Sequence, residues 1–152
     1  MKYLLIILSF LFISCEWGFL NGIWDDENNE SVTPLPLVDD YFSYNISNQV
    51  AYYFFDTVLV NNSLLDTSDW VGAFRNDICV GSQRWICPGT CEVPIYGEYS
   101  LNEGTDGYML PGEIPSFKIY DSSEQIYYDA IPSSEIPWQD GITPTINSLI
   151  AQ

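Results

Sequence analysis

Five aromatic residues near acidic residues are the side chains best suited to hold a ligand. Sugars stack their C–H faces on flat rings, while their hydroxyl groups need carboxylate or amide partners. We select as candidate ligand-binding residues the aromatics expected in loops or at strand ends near acidic residues. These are Trp85, Tyr96, Tyr99, Tyr108 and Trp138. A small β domain also needs aromatic residues in its core, so a core position is the alternative for each of them.

A second group of polar residues belongs to the segment DWVGAFRNDICVGSQRW, residues 69–85. Asp69, Asn76 and Asp77 supply carboxylate and amide oxygens, the ligands that calcium prefers. Their spacing does not follow the EF-hand pattern. We predict these three residues as the candidate ligands of a structural calcium ion, with solvated loops as the alternative, and we predict no other cofactor.

Two of the four positive side chains, Arg75 and Arg84, lie in the same segment, whereas the whole chain has 21 acidic residues. In so acidic a protein we expect both guanidinium groups to bind neighbouring carboxylates. Arg75 adjoins Asp77, and Arg84 adjoins Trp85, whose ring can hold a cation. Anion binding by these arginines is the alternative.

The cysteines indicate an oxidised protein. CPGTC places a Pro-Gly turn between Cys87 and Cys91, and such a turn can bring the two Cα atoms to disulfide distance. We predict this pairing, with Cys79–Cys87 and Cys79–Cys91 as the rivals. Unpaired, Cys79 would be a buried thiol, since it lies in an apolar run.

Several classes of function are excluded by composition. The chain has no histidine, which removes Ser-His-Asp and Cys-His catalysis and histidine-ligated zinc. Only hydrolysis by a carboxylate pair remains open, and no nucleophile or phosphate-binding motif is found, so we predict that the protein is not an enzyme. The net charge of −17 opposes binding to nucleic acid, which requires lysine and arginine.

The first residues, MKYLLIILSFLFISC, are typical of an export signal. One basic residue precedes an apolar run from Tyr3 to Ile13, too short to span a membrane, which takes about 20 residues. The run ends in Phe-Ile-Ser-Cys and resembles a bacterial lipobox. We therefore predict a lipoprotein signal peptide over 1–14 and lipidation of Cys15; an ordinary signal peptide with a chance cysteine is the alternative.

The elements that position these residues are predicted to be strands. Residues 15–37 are acidic and then proline-rich, without periodicity, and are interpreted as a tether. From residue 38 onwards short β-rich runs alternate with turn signals, which predicts an all-β fold over 38–152, a single antiparallel β-sandwich of about eight strands. The predicted strands are YFSYNI, QVAYYFFDTVLV, WVGAF, CVGSQRW, EVPIYG, SFKIYD, QIYYDAI and INSLIA. Asn76 and Asp77 form the turn of one hairpin, where they tolerate left-handed backbone.

Much of the region 50–140 resembles a β-rich module of secreted and cell-surface proteins of environmental bacteria. The matching positions are Asp69 to Phe74, Asp77, Cys79 to Gly81, Trp85, Cys87, Cys91, Val93, Pro94, Gly97, Thr105, Gly107 to Met109, Gly112, Ile114 to Asp121 and Tyr127 to Ser133. The resemblance implies a β-rich fold and a binding or structural role, since such modules are generally appended to larger exported proteins. Here the module stands alone behind a lipobox.

Together these features predict a non-catalytic lipoprotein, exported and held by lipid in the cell envelope, at the outer membrane or cell surface. Its predicted function is that of a surface binding module, with extracellular glycan as the leading ligand class. The alternative is a structural or adhesive protein that assembles with other surface proteins and has no small ligand. The membrane, through the lipid anchor, is a predicted partner in both cases.

Overall fold

The computed structural model describes residues 38–87 and 89–152. The predicted signal peptide 1–14, the tether 15–37 and the lipidation site Cys15 lie outside the described residues. No helix within the described part combines the length and apolar character that crossing a bilayer requires.

The all-β class is confirmed, and the described chain forms eight strands and a single helical turn. The elements are α1 (Val38–Tyr41), β1 (Val50–Val60), β2 (Ser63–Leu64), β3 (Trp70–Arg75), β4 (Ile78–Arg84), β5 (Cys91–Tyr96), β6 (Ser116–Asp121), β7 (Ile126–Pro132) and β8 (Thr145–Ala151). Seven of the eight predicted strands overlap an observed one.

The strands form one mixed sheet, curled as a half-barrel, in the order β2-β1-β8-β7-β6-β3-β4. The arrangement differs from the predicted antiparallel sandwich, because the strands are joined in a single sheet and β1 pairs with β8 in parallel. The length of β1 explains the difference. Its eleven residues pair with β5 and then β2 along one edge and with β8 along the other, so this strand joins elements that would otherwise belong to two sheets.

The inner face of the sheet holds the main core. Along β1, Tyr53 and Phe55 are fully buried, whereas Tyr52, the residue before Tyr53, is exposed, as expected for a strand with one buried face. Trp138, from the loop before β8, lies in this core and donates its indole N–H to the carbonyl oxygen of Ile95 at 2.9 Å. Large rings therefore fill the interior of the half-barrel.

The ends of the curled sheet approach each other where β4 meets β5. A Cβ atom placed on Gly81 of β4 would lie 1.7 Å from the carbonyl oxygen of Pro94 in β5. Only glycine allows the two backbones to come so close. Pro94 is tolerated because β5 pairs with β1 alone. The backbone N–H that proline lacks is therefore not needed for hydrogen bonds to a strand on the other edge of β5.

A smaller cluster covers the outer face of β3 and β4. Phe42, just after α1, packs on Phe74 and Cys79, and aromatic residues of β6 and β7 border this cluster. The segment YFSYNI was predicted to be a strand, and that prediction is wrong. Its backbone is bound by side chains instead: Ser82 donates to the carbonyl of Phe42, and the N–H of Asn45 donates to the hydroxyl of Tyr108 at 2.6 Å.

Candidate functional site

Three of the five predicted ligand-binding aromatics are core residues, which corrects the sequence prediction. Trp85, Tyr108 and Trp138 are 7%, 3% and 0% exposed. A ring without an accessible face cannot stack on a sugar. The interior of the curled sheet requires large side chains, and loops as well as strands supply them. Tyr99 is half-buried in the loop after β5, where the hydroxyl of Thr105 binds its backbone N–H and carbonyl.

The fifth predicted aromatic, Tyr96, belongs to a group on the outer face that we call the tyrosine row: Tyr44, Tyr96 and Tyr52. Tyr44 stacks on Tyr96 with ring centres 5.3 Å apart and planes inclined by 23°. Tyr52 lies diagonally across the β1–β5 pair, since Tyr96 is opposite Val50, and it is 39% exposed. Burial raises the pKa of Tyr44 and Tyr96, so both are neutral phenols able to donate and accept hydrogen bonds.

Tyr44 also lines an open groove of about 420 Å³ beside the row. Half-buried Trp70, the first residue of β3, lies in this groove opposite Arg84 of β4. We call it the Trp70 groove; its lining residues are Val38, Phe42, Ser43, Tyr44, Trp70, Ser82, Gln83 and Arg84. Aromatic rings and polar side chains therefore meet at one concave surface.

Sequence reasoning did not select Trp70, Tyr44 or Tyr52. A usable signal existed, because the predicted hairpin with its turn at Asn76 and Asp77 places Trp70 near Arg84. The turn is found as predicted, with a φ of 54° at Asn76. No signal in the sequence indicated that Tyr44 lines the groove, since its position depends on how the segment before β1 folds over the sheet.

The two arginines of the hairpin have different partners. Arg75 binds the carboxylate of Glu113 at 2.7 Å, rather than that of Asp77. Arg84 donates its Nε–H to the carbonyl of Thr67 at 2.9 Å, and within the described residues it has no carboxylate within 4.0 Å. The expected carboxylate pairing is therefore found for Arg75 and not for Arg84.

The structure does not bring the three predicted calcium ligands together at one place. Asp69 precedes β3, whereas Asn76 and Asp77 follow it, and the six residues of this strand separate them by about 20 Å. Ligands of one calcium ion all lie within about 2.6 Å of it. Across residues 38–87 and 89–152, no group of three or more acidic or cysteine side chains is arranged to hold a metal ion.

Asp69 has a structural role instead. Asp69 is 7% exposed, and its carboxylate accepts the backbone N–H groups of Asp66 at 2.8 Å and of Ser122 at 3.0 Å. It thereby ties the loop before β3 to the turn between β6 and β7. Burial raises the pKa of Asp69, although both hydrogen bonds act in the opposite direction.

Cys87 and Cys91 form a disulfide, with Cα atoms 5.6 Å apart, as predicted. Cys79 is a buried free thiol, so both rival pairings are excluded. Burial raises the pKa of Cys79 to about 11, which keeps the thiol protonated.

A separate cavity of about 590 Å³ lies on β7 and β8. Its walls include Ile131, which is 75% exposed, and Pro132 and Ile150. This surface is apolar and does not share residues with the Trp70 groove.

Comparison with known proteins gives no match: no family model, no curated protein and no solved structure corresponds to this chain. Function must therefore be argued from the geometry described above.

Proposed function

We propose that the protein is a non-catalytic lipoprotein of the cell envelope that binds extracellular glycan in the Trp70 groove and along the tyrosine row. The observation that supports this proposal is the continuity of the two surfaces through Tyr44, which lines the groove and stacks on Tyr96. Of the two predicted ligand residues outside the core, Tyr96 is thus part of a larger aromatic surface, whereas Tyr99 is not in this row.

The chemistry of this surface suits a sugar chain. The indole of Trp70 offers a flat apolar face for the C–H side of a pyranose ring, and the neutral tyrosine hydroxyls bond its hydroxyl groups. Gln83, Ser43 and Arg84 add donors and acceptors at the rim of the groove. An open groove accommodates an internal segment of a polymer, whereas a closed cavity would accept only a chain end or a small molecule.

A glycan array probed with the full chain in detergent tests the proposal. We expect Trp70→Ala to weaken binding at least about tenfold, because the buried contact with the sugar face is lost. Tyr128→Ala is the matched control, since Tyr128 is a half-buried aromatic of β7 outside the groove. Thermal unfolding of both variants shows whether they are folded. Absence of binding by the folded wild type, or equal losses in both variants, would contradict the proposal.

Membrane attachment is proposed to occur through lipid on Cys15, which the sequence before it suggests. We expect cells fed labelled palmitate to label the wild type and not Cys15→Ser, and protease added to intact cells to remove the domain. Labelling of Cys15→Ser, or a wild-type protein found unprocessed in the cytosol, would contradict this part.

The alternative of a structural or adhesive protein is supported by one observation, the apolar surface around the exposed side chain of Ile131. Apolar patches of this kind often contact other proteins. Under this alternative, Ile131→Asp would abolish attachment to neighbouring surface proteins and leave glycan binding unchanged. Crosslinking on intact cells distinguishes the two, since the glycan proposal expects no change in the crosslinked partners of this variant.

A further inference from the structure

Arg84 differs from the other positive side chains of the described residues. Arg75 is paired with Glu113, and Lys118 is paired with Asp129 across the β6–β7 ladder. Arg84 has no carboxylate partner in the described part of the chain, although acids greatly outnumber bases. Among the described residues, a cation that lacks a carboxylate partner in so acidic a protein calls for a functional explanation.

Asp66 interacts electrostatically with Arg84, but its carboxylate is hydrogen-bonded within its own turn. Arg84 contributes to lowering the pKa of Asp66, but the larger cause is hydrogen bonding of that carboxylate by Ser68. One oxygen of Asp66 accepts both the backbone N–H of Ser68 at 2.6 Å and its hydroxyl at 2.5 Å. Asp66 is thus held by its own turn and does not close on the guanidinium group.

The guanidinium group of Arg84 is held in one orientation by a hydrogen bond, but not all of its hydrogen-bond donors are used within the described residues. Its Nε–H is used by the carbonyl of Thr67, which fixes the plane of the group. Arginine has five N–H donors, and the four on the two terminal nitrogens of Arg84 have no hydrogen-bond acceptor among the described residues. The side chain is exposed at the groove and lies opposite Trp70 on the neighbouring strand, where cross-strand side chains are about 5 Å apart at Cβ. A planar fork with two free amino groups matches a carboxylate.

We propose that the glycan bound in the Trp70 groove carries a carboxylate, as a uronic acid unit does, and that Arg84 binds this group through its terminal nitrogens. The inference rests on the proposed function of the groove. Trp70 stacks on the sugar ring while Arg84 holds its acid group, so the pair selects uronate over neutral hexose. A single guanidinium serves one carboxylate, and the net charge of −17 repels densely charged polymers, so the favoured ligand has uronate units separated by neutral sugars.

The test compares uronate-containing oligosaccharides with the same oligosaccharides after chemical reduction of their carboxyl groups to alcohols. Titration calorimetry with the full chain is expected to give about tenfold weaker binding after reduction. Arg84→Gln should remove this difference. Arg84→Lys should restore only part of it, because an ammonium group keeps the charge but lacks the fork.

Arg75→Gln is the matched control, since it makes the same change in net charge in the same hairpin but outside the groove. It should leave the preference for uronate intact. Equal binding of native and reduced oligosaccharides, or equal effects of the two glutamine variants, would overturn the inference while leaving glycan binding in place. Failure of the folded wild type to bind any glycan would overturn the proposed function and this inference together.

Discussion

At the scale of single residues, the position of a side chain relative to the curled sheet decides its role. Trp85, Tyr108 and Trp138 resemble surface aromatics in the sequence because acids and turn residues surround them, yet all three lie in the core. Asp69 is the reverse case, since a residue suited to bind a cation is used to hold two backbone N–H groups. Sequence neighbours indicate the chemical type of a site but not the direction in which its side chain points.

Asp69 gives a prediction about stability and pH. Each carboxylate oxygen accepts one N–H, so Asp69→Asn directs an amide N–H₂ at a backbone donor and should lower the free energy of unfolding by about 1–3 kcal/mol at pH 7. Because burial raises the pKa of Asp69 in the folded state, its contribution to stability is greatest below the unfolded pKa and declines as the pH rises through the folded pKa.

The difference in the free energy of unfolding between the wild type and Asp69→Asn should therefore be larger at pH 3 than at pH 7. Urea unfolding at both pH values measures it, and titrations common to both proteins cancel in the comparison. Ser63→Ala, in exposed β2, is the control and should change stability by less than about 0.5 kcal/mol. A stability difference that increases towards neutral pH would contradict a raised pKa of Asp69 in the folded state.

At the scale of elements, periodicity predicted the strands well and their pairing poorly. Alternating apolar residues locate seven of the strands, because a half-buried strand must alternate. The segment YFSYNI alternates in the same way, yet it covers the outer face of β3 through Phe42 and has its backbone bound by side chains. The mixed topology and the Trp70 groove could not be predicted, since both depend on which distant segments meet.

Gly81 is the element-scale position most sensitive to substitution. Gly81→Ala places a methyl group on the carbonyl oxygen of Pro94, so β4 and β5 must separate. We expect a loss of at least about 1–3 kcal/mol, the usual cost of overpacking. Chemical unfolding measures it, with Ser63→Ala again as the exposed-strand comparison. Unchanged stability would show that the two strands do not approach as described.

At the scale of the whole molecule, the charge of −17 is the dominant property. Only two ion pairs are found among the described residues, Arg75–Glu113 and Lys118–Asp129, so most of the carboxylates repel one another without local compensation. Such self-repulsion keeps a protein soluble and reduces the stability of its folded state. Salt should therefore stabilise this protein by screening.

We expect the melting temperature to rise between 10 mM and 500 mM NaCl, by several degrees, in scanning calorimetry. Calcium chloride at equal ionic strength is the comparison. Because the predicted ligands Asp69, Asn76 and Asp77 are at opposite ends of β3, calcium should add no stabilisation beyond screening. A larger rise with calcium would reveal an ion site formed by other residues, and a fall with sodium chloride would show that attraction, not repulsion, dominates the surface.

The place of β8 in the sheet has a consequence for the order of events when the polypeptide is made. Residues 145–151 form β8, which lies between β1 and β7 in the sheet. Neither β1 nor β7 can therefore complete its pairing until β8 has been synthesised. Pairing across so large a sequence separation is slow. If the protein is secreted as proposed, the chain would consequently remain unfolded while it crosses the bilayer. It would fold only after export.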